Sequence, residues 1–249
     1  MSIKGLGWIK DNPDHRDFKY TSNLSLSALS TKVDLRNKMP AIFDQGELGS
    51  CTAQATIGLA CYLQIVAGFQ YIMPSRLFTY YNTRLLEGNV GVDSGGTIRT
   101  AMSVLAKYGC PNESLWWYDI SKFTVRPSQL VYNDGLHRKT MAYARVNQDL
   151  NSMKIALNSQ HPIVLGFTVY PSFMNVGKDG LVHMPENADP VGGHAILIVG
   201  YDDTKGRFIV RNSWGTSWGD NGYCYFPYEY LTNVHLASDL WTATTMLIS

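Results

Sequence analysis

The sequence predicts an α+β fold with two lobes, preceded by an irregular N-terminal arm. Helical patterns dominate from Val33 to about Arg145, and short β-branched or aromatic segments dominate after about residue 160. A helical half followed by a strand half is typical of α+β proteins. We therefore place the arm at 1–32, a left lobe at about 33–145 and a right lobe at about 146–249.

Three helices and four strands carry this assignment. The run from Cys51 to Ala67 has no proline and is followed by Gly68, which suits a helix end. Two later segments have a helical pattern, and four short segments rich in β-branched or aromatic residues are separated by glycine and aspartate turns. The predicted helices are 51–67, 75–87 and 97–108, and the predicted strands are 162–170, 194–201, 207–214 and 222–228.

Composition limits the classes of function. The 249 residues are 45% hydrophobic and 16% charged with a formal net charge of +1, so neither nucleic acid nor an acidic membrane surface is an expected partner. The apolar runs are too short to span a membrane, and the start MSIKGLGWIKD lacks the apolar core of a signal peptide. We expect a cytoplasmic monomer. Export by another route, or a truncated sequence, remains open.

The four cysteines are few for this length, and none stands in a C-x-x-C spacing. Zinc and other metals are therefore not expected, nor is any cofactor. A cytosolic protein keeps its thiols reduced, so we expect Cys51, Cys61, Cys110 and Cys224 to be free.

Cys51 stands at the start of its predicted helix, directly after the small-residue loop QGELGS. The free N–H groups and the positive dipole end of a helix favour an anion, so a thiol there loses its proton more readily. Most lone cysteines are simply small buried hydrophobes. A nucleophilic role for Cys51 therefore requires a partner.

A predicted hairpin supplies that partner. Two strands flank the turn from Asp202 to Gly206, and this turn places His194 and Asn212 opposite or nearly opposite each other. The asparagine amide can then hydrogen-bond the imidazole and fix its tautomer and orientation.

These residues resemble the papain-like cysteine peptidases. The resemblance is carried by QGELGSC, by GGHA around His194 and by NSWGTSWGDNGY from Asn212, and it covers residues 33 to about 230. The motifs look closest to the cathepsin B branch. The resemblance implies a papain-like fold with a helical left lobe, an antiparallel, β-barrel-like right lobe and an active-site cleft between them.

By this resemblance the chain is a cysteine endopeptidase acting on peptides or proteins. Cys51 would be the nucleophile, His194 the acid and base and Asn212 the residue that orients it. Gln45 would donate to the oxyanion, and Trp214 would shield the His194 hydrogen bond from water.

The resemblance also implies substrate-binding residues. Gly95 and Gly96 would pair with an extended peptide, although the glycine pair alone favours an ordinary turn. Ile98, Gly166 and Gly193 would line a roomy pocket for a bulky apolar residue. Asp239 is a candidate for the floor of this pocket, but the motifs do not assign it.

The chain departs from the family pattern at two positions near the nucleophile. Leu48 replaces a usual half-cystine, and Thr52 replaces a usual tryptophan. The four reacting or polarising residues, Gln45, Cys51, His194 and Asn212, are all present. A thiol acyltransferase or peptide ligase, and a catalytically idle binding protein with this fold, remain the alternatives.

Two further expectations concern access to the cleft. The segment from Asn82 to Gly95 has no histidine, whereas the cathepsin B branch owes its exopeptidase action to a histidine-bearing loop, so we expect endopeptidase action.

The arm is too short and irregular for a folded propeptide. It could instead lie in the groove at Gly95 and Gly96, with Trp8 or Leu6 in an apolar pocket, and inhibit partly. Packing elsewhere or disorder remains the alternative.

Overall fold

The computed structural model describes residues 5–186 and 188–248. Its helices are α1 Cys51–Val66, α2 Arg76–Leu86, α3 Ile98–Lys107, α4 Gln129–Gly135, α5 Leu150–Asn158, α6 Pro171–Met174 and α7 Tyr228–Thr232. Its strands are β1 Trp8–Ile9, β2 Lys32–Asp34, β3 Gly96–Thr97, β4 Arg138–Arg145, β5 Ile163–Val169, β6 Gly192–Asp202, β7 Arg207–Arg211, β8 Tyr223–Pro227 and β9 Ala237–Ile248. Over this part of the chain, no helix has the length and apolar character needed to cross a membrane.

The three predicted helices form nearly where expected. Ser75 caps α2 by accepting a hydrogen bond from the Phe78 N–H, and Thr97 caps α3 by accepting one from the Thr100 N–H. Helix α1 needs no such cap at Ser50, and it is buried continuously from Cys51 to Gln64. A helix buried on every side belongs to the core, which places Cys51 at the centre of the molecule.

The four predicted strands belong to one seven-stranded antiparallel sheet. Its path runs β4-β9-β5-β6-β7-β8, and β2 pairs with β6 beside this path. In the described ranges the ends of the path do not pair with each other, so the expected barrel-like right lobe is an open sheet. The predicted α+β class is confirmed.

Three strands of this sheet, β2, β4 and β9, were not predicted. Strand β4 lies in the segment expected to be mainly helical, and it pairs with β9 at one end of the sheet. Edge strands are less buried, and the charged residues Arg138, Lys139 and Arg145 hide the strand pattern. Strand β9 has no regular alternation of buried and exposed positions. Strands β2 and β4 of this sheet therefore precede the predicted lobe start at about residue 146.

Helix α1 connects the helices to the sheet. It packs on α2 and α3 and also on β6 and β9. Gly58 permits the close approach to the sheet, because a Cβ at this position would lie 3.2 Å from the Leu197 side chain. The start of α1 is thus held against the start of β6.

Arg84 holds the loop that follows α2. Its side chain is fully buried and donates to the carbonyls of Val90, Val92 and Phe123. Its guanidinium also lies 4.2 Å from the centroid of the Tyr80 ring. This residue fixes the approach to Gly95 and Gly96.

We expect Arg84→Met to lower the free energy of unfolding by at least about 2 kcal/mol, because each buried carbonyl left unsatisfied costs about 1–3 kcal/mol. Urea unfolding measures this change. The exposed Arg126→Met is the matched control and should change stability by less than about 0.5 kcal/mol. Equal effects of the two substitutions would contradict the role given to Arg84.

Candidate active site

Cys51 lies at the start of α1 with no solvent exposure. Burial raises the pKa of its thiol to about 11, against hydrogen bonds from the backbone N–H groups of Ala195 and Gly7, which lower it. Ala195 follows His194 in β6, so the sheet reaches the cysteine at this point. Gly7 belongs to the N-terminal arm, which also contacts the sulfur.

His194 and Asn212 meet as the predicted hairpin required. Their side chains are joined by a hydrogen bond of 2.8 Å between Nε2 and Oδ1. The Ser213 N–H also donates to Oδ1, which identifies this atom as the amide oxygen. His194 Nε2 must therefore donate. The strands pair in the predicted antiparallel sense, with a register shift between Ile198 and Gly200.

The other ring nitrogen of His194 is the chemically open one. Nδ1 is buried and has no hydrogen-bond partner among the described residues. Burial lowers the pKa of His194 to about 4, and the Asn212 hydrogen bond opposes this effect. The imidazole is thus neutral, with a bare Nδ1 that can accept a proton.

Aromatic rings enclose this imidazole. The Trp214 ring centroid lies 4.7 Å from that of His194, and Trp214 is 1% exposed. Phe173 lies 5.2 Å from Trp214 and 6.2 Å from His194 between ring centroids. These rings lie against the imidazole that bonds Asn212, and shielding of this hydrogen bond by Trp214 stays a prediction.

Gln45 is fully buried and tied to the same strand end. Its Oε1 accepts from the Ser213 hydroxyl at 2.6 Å, and its backbone N–H donates to the Ser213 carbonyl at 2.9 Å. Its Nε2 donates to the carbonyls of Leu48 and Gly5, at 2.9 and 3.0 Å. The side-chain amide therefore already binds a peptide carbonyl, which is supplied by the arm.

Trp8 of the arm fills the space beside Gly166 and Gly193. A Cβ at Gly166 would lie 2.0–2.5 Å from three indole atoms, and one at Gly193 would lie 2.6 Å from the Trp8 carbonyl oxygen. Ile98 opens α3 and is buried in the hydrophobic cluster against which Trp8 packs. Gly166 and Gly193, two of the three predicted pocket residues, thus contact Trp8.

Gly95 and Gly96 contact the arm backbone. Strand β1 pairs in parallel with β3, with Trp8 opposite Gly96, and the Gly96 N–H donates to the Gly7 carbonyl at 2.8 Å. Gly95 has a φ of +74°, and a Cβ there would lie 2.1 Å from the Gly7 oxygen. Only glycine combines this backbone angle with so close an approach.

Asp239 lies beyond the Trp8 pocket. It is 4% exposed and has a φ of +60°, a strained angle for a residue other than glycine. Its Oδ2 accepts from the Trp8 indole N–H at 3.1 Å and from the Asp11 N–H at 2.7 Å. Asp239 thus reaches the floor of the pocket through a hydrogen bond to Trp8.

Three supporting residues were not found from the sequence. Asp93 accepts from the Gly49 N–H and the Tyr80 hydroxyl, which holds the loop before Cys51. Tyr118 donates to the Gln45 carbonyl at 2.9 Å, and Ser213 orients the Gln45 amide. Only the position of Ser213 beside Asn212 offered a signal in the sequence.

All four cysteines are free and buried, as predicted. Leu48, at the position of the usual half-cystine, packs with Ala53, Leu77 and Tyr80 in a small hydrophobic cluster. Hydrophobic packing thus takes the place of a disulfide beside the nucleophile loop. In the described part of the chain, no group of three or more His, Cys, Asp or Glu residues is arranged to hold a metal ion.

Known proteins are similar to this chain in sequence and in fold. Residues 29–244 match the family described as papain family cysteine protease. An uncharacterized peptidase C1-like protein of Acanthamoeba polyphaga mimivirus is 39% identical, over 96% of this chain and 86% of its own. Digestive cysteine proteinase 1 of Homarus americanus is 28% identical, over 84% of this chain and 66% of its own.

A solved structure is similar over the whole length. Xylellain, a cysteine protease from Xylella fastidiosa, is 39% identical with a TM-score of 0.90, and the match covers 98% of each chain. The matched family region includes Gln45, Cys51, His194 and Asn212. The chain belongs to the papain family of cysteine proteases.

Proposed function

We propose that the chain is a cysteine endopeptidase in which Cys51 attacks the peptide carbonyl and His194 transfers the protons. The observation that carries this proposal is the hydrogen bond from His194 Nε2 to Asn212 Oδ1, next to Ala195, whose backbone N–H donates to the Cys51 sulfur. This bond leaves Nδ1 bare, so His194 can take the thiol proton and form a thiolate–imidazolium pair.

Gln45 supports the negative charge that develops during attack. Its Nε2 already donates to the Gly5 carbonyl at 3.0 Å, which shows that a peptide carbonyl fits there. The backbone N–H of Cys51, at the start of α1, is the second donor. Removing one such donor costs about 10²–10³ in kcat in comparable enzymes.

The reaction then proceeds in two halves. The Cys51 sulfur bonds to the carbonyl carbon, and the imidazolium of His194 protonates the departing amine as the C–N bond breaks. Water next attacks the resulting thioester, with His194 accepting its proton, and the thiol is restored as the acid product leaves. Asn212 orients the imidazole ring throughout and takes part in no proton transfer.

We expect Cys51→Ala and His194→Ala to abolish hydrolysis of a fluorogenic peptide, and Asn212→Ala to leave a measurable remnant. The reason is that Asn212 positions the base, whereas the other two residues exchange the proton and the covalent bond. Steady-state kinetics of the three variants measure the difference. Equal residual rates in all three, or full activity of Cys51→Ala, would contradict the assignment.

We expect internal cleavage of a long peptide, because the segment between Asn82 and Gly95 contains no histidine that could hold a substrate carboxyl terminus. Mass spectrometry of the products over time measures this. Fragments with cut sites distant from both peptide ends are the expected result. Sequential release of C-terminal dipeptides as the sole products would refute endopeptidase action.

We further propose that the arm occupies the substrate cleft and partly inhibits the enzyme. Three contacts support this: Gly5 binds Gln45, Gly7 contacts Cys51 and Gly96, and Trp8 fills the pocket at Gly166. Under the arm, Cys51 and His194 have no exposure, and burial holds the thiol and the imidazole in their neutral forms. A substrate must displace the arm to reach them.

We expect Trp8→Ala to speed alkylation of Cys51 by a peptidyl epoxide at least about tenfold, because removing a buried tryptophan side chain costs about 3–5 kcal/mol and Trp8 is partly buried. The rate of mass gain on Cys51 measures the effect. Phe18→Ala, which removes an arm aromatic that is 79% exposed, is the control and should label at the wild-type rate. Identical rates for both variants and wild type would reject inhibition by the arm.

A further inference from the structure

Beyond Trp8, the carboxylate of Asp11 is received by a set of donors that lie outside the arm. Its Oδ2 accepts from Arg145 Nη2 at 2.7 Å and from the Trp241 indole N–H at 2.8 Å, and its Oδ1 accepts from the Arg99 backbone N–H at 3.2 Å. The Asp11 side chain has no exposure, and Trp241 is 1% exposed. This arrangement is a closed pocket for a carboxylate.

A second arm carboxylate lies beside the first. Asp17 accepts from Arg99 Nε and Nη2 at 2.9 and 2.7 Å and from Arg145 Nε at 2.8 Å. Burial raises the pKa of Asp17, but the hydrogen bonds from the two arginines outweigh it and hold the pKa below the ordinary value. The Arg145 guanidinium thus binds both acidic side chains, whereas Arg99 binds Asp17 with its guanidinium and Asp11 with its backbone N–H.

The receiving groups are held by the peptidase fold itself. Arg145 in β4 stands directly opposite Trp241 in β9, and its guanidinium lies 4.7 Å from the centroid of the indole. Arg99 in the first turn of α3 lies 5.8 Å from the same indole. Of the carboxylates outside the arm in the described residues, Asp239 alone forms an ion pair with this set, at 3.4 Å from Arg145 Nη1. Without the arm, Arg145 would keep this one partner.

Spacing along the arm relates this site to the cleft. Gly7 contacts Cys51, Trp8 fills the apolar pocket, and Asp11 lies three residues further on. Asp239 Oδ2 accepts from both the Trp8 indole N–H and the Asp11 backbone N–H, so the carboxylate site lies directly beyond the pocket. A bound peptide that follows the same path would bring one side chain to this site.

We propose that Arg99, Arg145 and Trp241 form a specificity site for an acidic side chain of the substrate, which the arm occupies with Asp11 until it is displaced. The preferred peptide then has a bulky apolar residue in the Trp8 pocket and an aspartate or glutamate about three positions further from the cleaved bond. Arginine and a buried indole N–H suit a carboxylate because both donate and neither accepts. This inference depends on the proposed peptidase activity.

The test uses the full chain carrying Asp11→Asn and Asp17→Asn, which removes the competing carboxylates. A series of quenched fluorogenic peptides places one glutamate, or a matched glutamine, at each position on either side of the cleaved bond. We expect glutamate to raise kcat/KM about tenfold over glutamine at one position, about three residues from the pocket residue. The preference should shrink as salt is raised.

Substitutions in the same background assign the preference. Arg145→Met and Trp241→Phe should reduce the glutamate-to-glutamine ratio below about twofold, whereas the exposed Arg126→Met should retain it. The ratio is taken within each variant, so partial loss of folded enzyme cancels. No preference at any position, or a preference that Arg145→Met leaves intact, overturns the site as a substrate determinant and restricts it to anchoring the arm. Loss of glutamine-peptide cleavage in the parent would instead count against the peptidase proposal.

Discussion

The packing of helix α1 on strand β6 is the constraint on which the site depends. Cys51 begins the helix and His194 lies near the start of the strand, so the two can meet only if both elements keep their relative position. Gly58 suits this contact, since a Cβ there would lie 3.2 Å from the Leu197 side chain, closer than ordinary van der Waals contact. Pairing of β6 with β7 then brings Asn212 to His194, and Ser213 connects Asn212 to Gln45. Four polar groups separated widely in sequence are fixed by one helix–sheet contact.

Burial gives this site its resting chemistry. With the arm in place, the thiol of Cys51 has a raised pKa and the imidazole of His194 a lowered one, because both charged forms lose solvation. Transfer of the proton from sulfur to nitrogen changes no net charge, so exposure to solvent or substrate, rather than pH alone, allows the ion pair to form. In the inhibition proposed above, the arm both blocks access and keeps the reacting groups in their neutral forms.

Local patterns in the sequence predicted the parts that local physics controls. Helix starts at Cys51 and Ser75 follow from loop and cap residues, and the hairpin between His194 and Asn212 follows from its turn. The edge strand β4 was not predicted, because its charged residues hide the alternation of apolar and polar residues that is typical of a strand. The contacts of Asp11 with Arg145 and Trp241 join residues far apart along the chain, and no periodicity encodes such pairs. The candidate active-site residues were thus proposed from motifs, whereas Asp93 and Tyr118, which hold them, became visible only in the fold.

The arm is attached through groups that also serve recognition of a peptide: the Gln45 amide, the pocket at Gly166 and the guanidinium of Arg145. Any change that strengthens one of these groups for substrate also strengthens it for the arm. Because the arm is tethered, its effective concentration is of the order of millimolar, so weak contacts suffice to keep it bound. A substrate gains access only when its own combined contacts exceed those of the arm at the concentration present. The inhibition and the specificity proposed above thus use the same groups of the cleft, and a substitution in the arm can weaken the first without altering the second.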